Sequence, residues 1–222
     1  MPEPKSGTRS QPVAKPSKSP AAEREIRGRG DLRAHILTRA RAIVDGEGLA
    51  AVQARRLAVE GGCSVGTLYN IFGDRDGLIL AINRQTLTEM GEVLEAVRAA
   101  TPKEPLEARL SALARAYTAF ALENLNRWLA VFEFRLPDNT PLPADYEALR
   151  ARLLGLLEET IGEDVPDADE RRTAARALFG AAHGILHLAV NNRLSDFDKK
   201  ALERDLRFIV KAAAAGMSRH TS

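Results

Sequence analysis

Gly61-Gly62-Cys63-Ser64-Val65-Gly66-Thr67-Leu68-Tyr69-Asn70-Ile71-Phe72-Gly73-Asp74-Arg75-Asp76-Gly77-Leu78-Ile79-Leu80 decides the fold. Two consecutive glycines separate two short helical patterns, about Gln53–Glu60 and Ser64–Phe72. Glycine supplies the backbone freedom a tight turn needs, and two short helices joined in this way make a helix-turn-helix. Ser64 stands where an N-cap belongs, a contribution of about 1 kcal/mol. Leu68, Ile71 and Phe72 fall on one side and anchor the helix to its neighbours. Val65, Thr67, Tyr69 and Asn70 are left toward the opposite side and the first turn. Such side chains suit phosphate oxygens, base edges and thymine methyls. Gly66 costs about 1 kcal/mol against Ala inside a helix. Close packing on the preceding helix accounts for that cost, and so does close approach of the backbone to DNA.

Working outward, Ile36, Leu37, Ala40, Ile43 and Val44 share a helical face. This first helix is expected to begin near Asp31 and to stop at Gly46 or Gly48. Downstream, Asp74 caps a long helix to about Ala99, with Leu78, Ile82, Leu87, Met90, Leu94 and Val97 as its apolar stripe. Further helices are expected over about 106–125, 128–134, 145–161, 169–191 and 198–215, with loops at 137–143 and 162–167. Strand formers never alternate, and no internal repeat occurs. The expected fold is all-α with about nine helices. Residues 1–28 are rich in Pro, Ser, Lys and Arg and read as a disordered basic tail, either simply solvated or an arm along phosphates.

The 222 residues are 45% hydrophobic and 28% charged, ordinary values for a globular chain. Net charge is +2, and residues 1–80 hold 13 Lys/Arg against 9 Asp/Glu. This mild asymmetry puts the positive end at the N-terminus without itself establishing a nucleic-acid partner. Cys63 is the single cysteine, so neither an intrachain disulfide nor a cysteine zinc cage is available. It reads as a small buried hydrophobe rather than a redox sensor. No apolar run reaches the roughly 20 residues of a membrane span, and no signal-peptide core opens the chain. A cytoplasmic protein with no membrane partner is expected. No glycine-rich phosphate loop, nucleophile elbow or paired-carboxylate site is present, so neither an enzyme nor a cofactor is expected. His183 and His187 have metal-ligand spacing but no convincing third carboxylate, so no metal is expected. They read as a packed or interface pair, or as groups that orient a ligand in an apolar cavity.

Ser64-x-Gly66-Thr67-Leu68-Tyr69-x-x-Phe72, followed by Asp74-Arg75-Asp76-Gly77-Leu78, resembles the recognition-helix signature of TetR regulators. The amphipathic helix upstream, Gly48-Leu49 and Arg56-Leu57-Ala58 match the same pattern, so the likeness covers about residues 31–80. The resemblance implies a DNA-binding domain at 29–77 and an effector-binding and dimerisation domain at 78–218. It implies that Tyr69 bonds a phosphate and that Arg75 meets the backbone at the start of the fourth helix. Ser64, Val65, Gly66, Thr67 and Asn70 then sit at the recognition helix's contact positions. Gln53 occupies a place where the family usually has Thr or Ser; it is a poorer cap, and Arg55 nearby can substitute.

In the C-terminal half, Asn124-Leu-Asn-Arg-Trp128, Phe132-Glu-Phe134 and Ala182-His183-Gly184 resemble the WHG-type effector domain. That resemblance implies dimer contacts and a ligand cavity. Tyr117, Phe120, Trp128, Phe132 and Phe134 gather aromatic rings that are bundle core taken singly and a cavity lining taken as a group. The ligand-binding candidates are Tyr117, Phe120, Trp128, Phe132, His183 and His187. Ala174, Ala177, Gly180, Ala181 and Gly184 make a small-residue face, read as a dimer interface or as intrachain packing. The implied activity is repression by a homodimer on palindromic operator DNA, relieved by a small apolar or amphipathic effector. The alternative is a small-molecule sensor or carrier acting through protein contacts.

Overall fold

A computed structural model describes residues 20–137, 140–193 and 198–219. Nine α-helices and no strand occur among them: α1 Pro20–Glu47, α2 Ala54–Glu60, α3 Val65–Phe72, α4 Arg75–Ala100, α5 Leu106–Glu123, α6 Leu125–Glu133, α7 Ala144–Ile161, α8 Ala168–Val190 and α9 Lys199–Arg219. Single 3₁₀ turns at Leu49–Ala51 and Gly162–Asp164 tighten two connections. The all-α expectation holds, and most boundaries fall within a few residues of the pattern.

The start of α1 is the correction. It begins at Pro20, well before Asp31, so residues 20–28 are helix rather than disordered tail. Proline lacks only an N–H that the first turn leaves unpaired anyway, and Ala21-Ala22-Glu23-Arg24-Glu25 are strong helix formers. Residues 1–19 lie outside the described residues.

Three apolar clusters organise the chain. The head packs Ile36, Leu37, Val44, Val52, Leu57, Leu68 and Phe72 against Leu78 and Ile82 of α4. The body centres on Leu87, Met90, Tyr117, Phe120, Trp128 and Leu186. A third cluster joins Leu110, Ile161, Leu178 and Val210 at the far end of α5, α7, α8 and α9. The first turns of α4 thus lie in the head and its later turns in the body, so one rigid rod links the two.

Two glycines are needed where head elements touch. A Cβ on Gly61 would stand 2.9 Å from both Ile36 Cγ1 and the Leu57 carbonyl. A Cβ on Gly77 would stand 2.0 Å from the carbonyl oxygen of Phe72. Only glycine lets α4 start this close to the end of α3.

Candidate nucleic-acid interface and effector cavity

α3 is held from behind and free in front. Leu68 and Phe72 are buried in the head core, each worth about 1.5–3 kcal/mol in apolar burial. The Arg33 guanidinium lies 5.3 Å from the centre of the Phe72 ring and ties α1 to α3. Ser64 caps the helix: Thr67 N–H donates to its Oγ at 3.0 Å, and the two hydroxyls are 2.9 Å apart. Ser64, Gly66 and Asn70 are exposed, while Val65, Thr67 and Tyr69 are half-buried. None of the contact candidates is sealed in the core. Gly66 is not a packing glycine, since a Cβ there would meet only Ser64 Oγ, at an ordinary 3.6 Å.

The flanking candidates are also on the surface. Gln53 is exposed, extended, and makes no side-chain cap bond. Arg55 and Arg75 are exposed, and among the described residues neither makes an ion pair. Arg56 is committed elsewhere. It donates to both Glu47 oxygens at 2.9 and 2.7 Å and to Glu60 at 2.8 Å, bracing α2 on the end of α1. The bond from Arg56 holds the Glu47 carboxyl below the usual range.

The body holds an apolar cavity of about 80 Å³ among α4, α5, α7, α8 and α9. Its walls include Leu94, Leu113, Tyr117, Leu153, Leu178, Phe179 and Ile209. Of the six sequence candidates, Tyr117 lines this cavity and Phe132 lines an adjoining groove. Phe120 and Trp128 are core. His183 lies against the rings of Trp128 and Phe132, 5.0 and 4.4 Å between centroids, and His187 stacks on His183 at 5.8 Å.

A polar chain runs through these rings. Trp128 Nε1–H donates to Tyr117 Oη at 3.1 Å, and Tyr117 Oη lies 2.9 Å from His183 Nδ1. An indole only donates, so the hydroxyl accepts from Trp128, while the His183 tautomer sets which group donates in the second bond. Burial pushes the His183 pKa down, and the charge of His187 adds to the effect. Burial pushes the Tyr117 phenol up, partly offset by the Trp128 bond. Among the described residues no three metal-ligating side chains converge.

Between head and body sits an ionic junction that the sequence pattern did not single out. Arg127 of α6, buried, donates to Asp45 of α1 at 2.6 Å and to Glu89 of α4 at 2.7 Å, and also to Asn124. Arg41 of α1 holds Glu89 as well, at 2.9 Å. Burial raises the Glu89 carboxyl, but the Arg127 and Arg41 bonds outweigh it and the net shift is downward. Asn126 donates to the Asp45 carbonyl at 2.9 Å, and buried Asn83 to the Ala130 carbonyl at 2.9 Å.

Residues 110–212 match the family described as Tetracyclin repressor-like, C-terminal domain. Over that region the chain is similar to the C-terminal domain of TetR-type repressors. A curated relative, the HTH-type transcriptional regulator BetI 2 of Chromohalobacter salexigens, is 28% identical over 156 residues, 69% of this chain and 74% of its own length. A Rhodococcus protein of unknown function shares the fold at TM-score 0.65 and 24% identity, covering 85% and 94% of the two chains. So does a TetR-family regulator of Streptomyces coelicolor, at 0.62 and 21%, covering 85% and 97%. Bacillus subtilis FadR, solved with stearoyl-CoA, aligns at 0.61 and 16%, covering 82% and 98%. The helix-turn-helix is α2–α3, and the matched C-terminal region contains most of the cavity walls. Among the described residues no helix is long and apolar enough to cross a membrane.

Proposed function

We propose that the protein is a ligand-responsive repressor that binds palindromic operator DNA as a homodimer and leaves it when a small apolar or amphipathic molecule enters the body cavity. In this reading residues 29–77 are the DNA-binding domain and residues 78–218 bind effector and dimerise. The observation that carries it is the outward face of α3: Ser64, Gly66 and Asn70 project from a helix pinned behind by Leu68 and Phe72. Such a rod fits a major groove, with Val65, Thr67 and Asn70 toward base edges and Tyr69, Arg75, Gln53 and Arg55 toward phosphates.

Dimerisation is supported by α8 and α9. Gly180 and Gly184 would meet nothing within 4 Å if given a Cβ, so packing within one chain gives no reason for their small size. Leu188 on the same α8 face and Phe208 on α9 are 42% and 74% exposed. Two such helix pairs bury these surfaces against each other as a four-helix interface.

The release mechanism follows from size and connection. A cavity of about 80 Å³ is smaller than the several hundred Å³ a typical ligand occupies. Effector therefore prefers a state with the walls apart, and that differential affinity sets how far it shifts the population off DNA. α6 carries Trp128 to the aromatic cluster and Arg127 to α1 and α4, so movement of the cluster reaches the head. We read the protein as cytoplasmic and non-enzymatic.

Gel shifts on the DNA upstream of its own gene test the reading. Arg75→Ala removes one phosphate contact per subunit and lowers the slope of log affinity against log salt by about 2 per dimer. Tyr69→Phe weakens binding by about 1 kcal/mol per subunit. A protein that shifts no duplex but still binds small molecules is instead a sensor or carrier working through protein contacts.

A further inference from the structure

We infer that the effector is an anionic amphiphile, its hydrocarbon in the apolar cavity and its charged head on Arg135, Arg150 and Arg176 in the groove outside Phe179. This deepens the proposed ligand response and rests on that reading for its regulatory meaning, though not for binding itself.

The cavity decides the buried part. Among the described residues Tyr117 alone brings a polar side chain to its wall, and that hydroxyl is already engaged by Trp128 and His183. A polar group placed inside would be left unpaired or would break that chain, a loss of the kind that excludes polar moieties from apolar sites. Only hydrocarbon fits without such a cost. The walls part to admit the hydrocarbon, and a polar head, unwelcome among them, lies outside in an adjoining opening.

Two openings adjoin the cavity, and charge distinguishes them. The groove of about 610 Å³ shares Leu153 and Phe179 with the cavity wall and, among the described residues, carries Arg135, Arg150 and Arg176 against Glu147. Arg150 reaches Glu147 at 3.3 Å, with both side chains more than half exposed. Arg135 and Arg176 make no ion pair among the described residues. The other opening, about 340 Å³ between α5 and α9, sets Arg115, Lys199 and Arg207 against Glu123 and Glu203. The first is the more cationic, and guanidinium forks match carboxylate and phosphate oxygens. Phe179 stands between groove and cavity, 36% exposed, as a side chain able to swing aside.

The test is calorimetric titration of the full-length protein, without DNA, below micelle-forming concentrations. The probes are dodecanoate, dodecyl phosphate, 1-dodecanol and dodecyltrimethylammonium. At least one anion binds about tenfold or more tighter than the alcohol, the cation binds weakest, and the advantage shrinks with added salt. The tighter of the two anions identifies the head group. Arg150→Ala with Arg176→Ala abolishes the advantage over dodecanol while dodecanol still binds, which shows that the double variant is folded. Equal binding of cation and anion overturns the inference, as does loss of selectivity in Arg115→Ala with Arg207→Ala instead. Selective binding by a protein that never shifts operator DNA would leave this inference standing and remove the repressor reading. Operator binding without anion selectivity does the reverse.

Discussion

Gly66 and Gly77 flank the working face of α3 and answer to different constraints. At Gly66 a methyl group has room, and Ala is the better helix former by about 1 kcal/mol. Gly66→Ala therefore melts at the same temperature or slightly higher, yet binds operator at least several-fold more weakly because the methyl holds the backbone away from DNA. Gly77→Ala drives a methyl into the Phe72 carbonyl and costs about 2 kcal/mol or more. Thermal melts paired with gel shifts read both. A Gly66→Ala protein with full operator affinity contradicts the contact role. His183 supplies the pH dependence. Its native pKa lies below the reference 6.5, so in the window between the two values the unfolded chain binds the extra proton. The stability this gives is present above about pH 6.5 and lost as pH falls through the native value. Between pH 7.5 and 5 the wild-type melting temperature falls more than that of His183→Asn, which keeps an acceptor and does not titrate.

α6 shows which elements could be read from sequence. Its aromatic stripe, Trp128 and Phe132, stands out as apolar residues one turn apart, and the helix follows from that spacing. Arg127 in the same run looks like a solvated charge. Its partners Asp45 and Glu89 lie 82 and 38 residues away, and no local periodicity carries contacts of that range. The recognition helix is the opposite case: cap, anchors and turn glycines all sit within α3 and its borders, so its exposed face was legible. The cavity walls were not, because Leu153 or Ile209 on an apolar stripe is indistinguishable from ordinary core until the neighbouring helices are in place. Nor could α1 be extended back to Pro20 from apolar spacing, since Ala21 to Arg29 carries no stripe. Arg127→Ala tests the junction. It lowers stability by about 2–3 kcal/mol, at or below the usual cost of breaking a buried pair because Glu89 and Asp45 stay part-exposed. In a chain of this length that lowers the melting temperature by about 4–12 °C. Effector then releases operator less completely at saturation, whereas a stability loss alone leaves the saturating response intact.

At the scale of the whole molecule, the open face of α8 and α9 and the outward face of α3 belong to one argument. A single α3 offers few base contacts; two, fixed by a symmetric interface, multiply specificity and require a palindrome. In the proposed dimer, an effector in the body need only change the spacing of the two heads to defeat both at once. The most direct measurement is selection of bound duplexes from a random DNA pool by the purified full-length protein, followed by hydroxyl-radical footprinting of the enriched sequence. Two inverted half-sites, one helical turn or more between centres and protected together by one dimer, are the expected result. Enrichment of a single unpaired half-site, or of no sequence at all, would contradict the account.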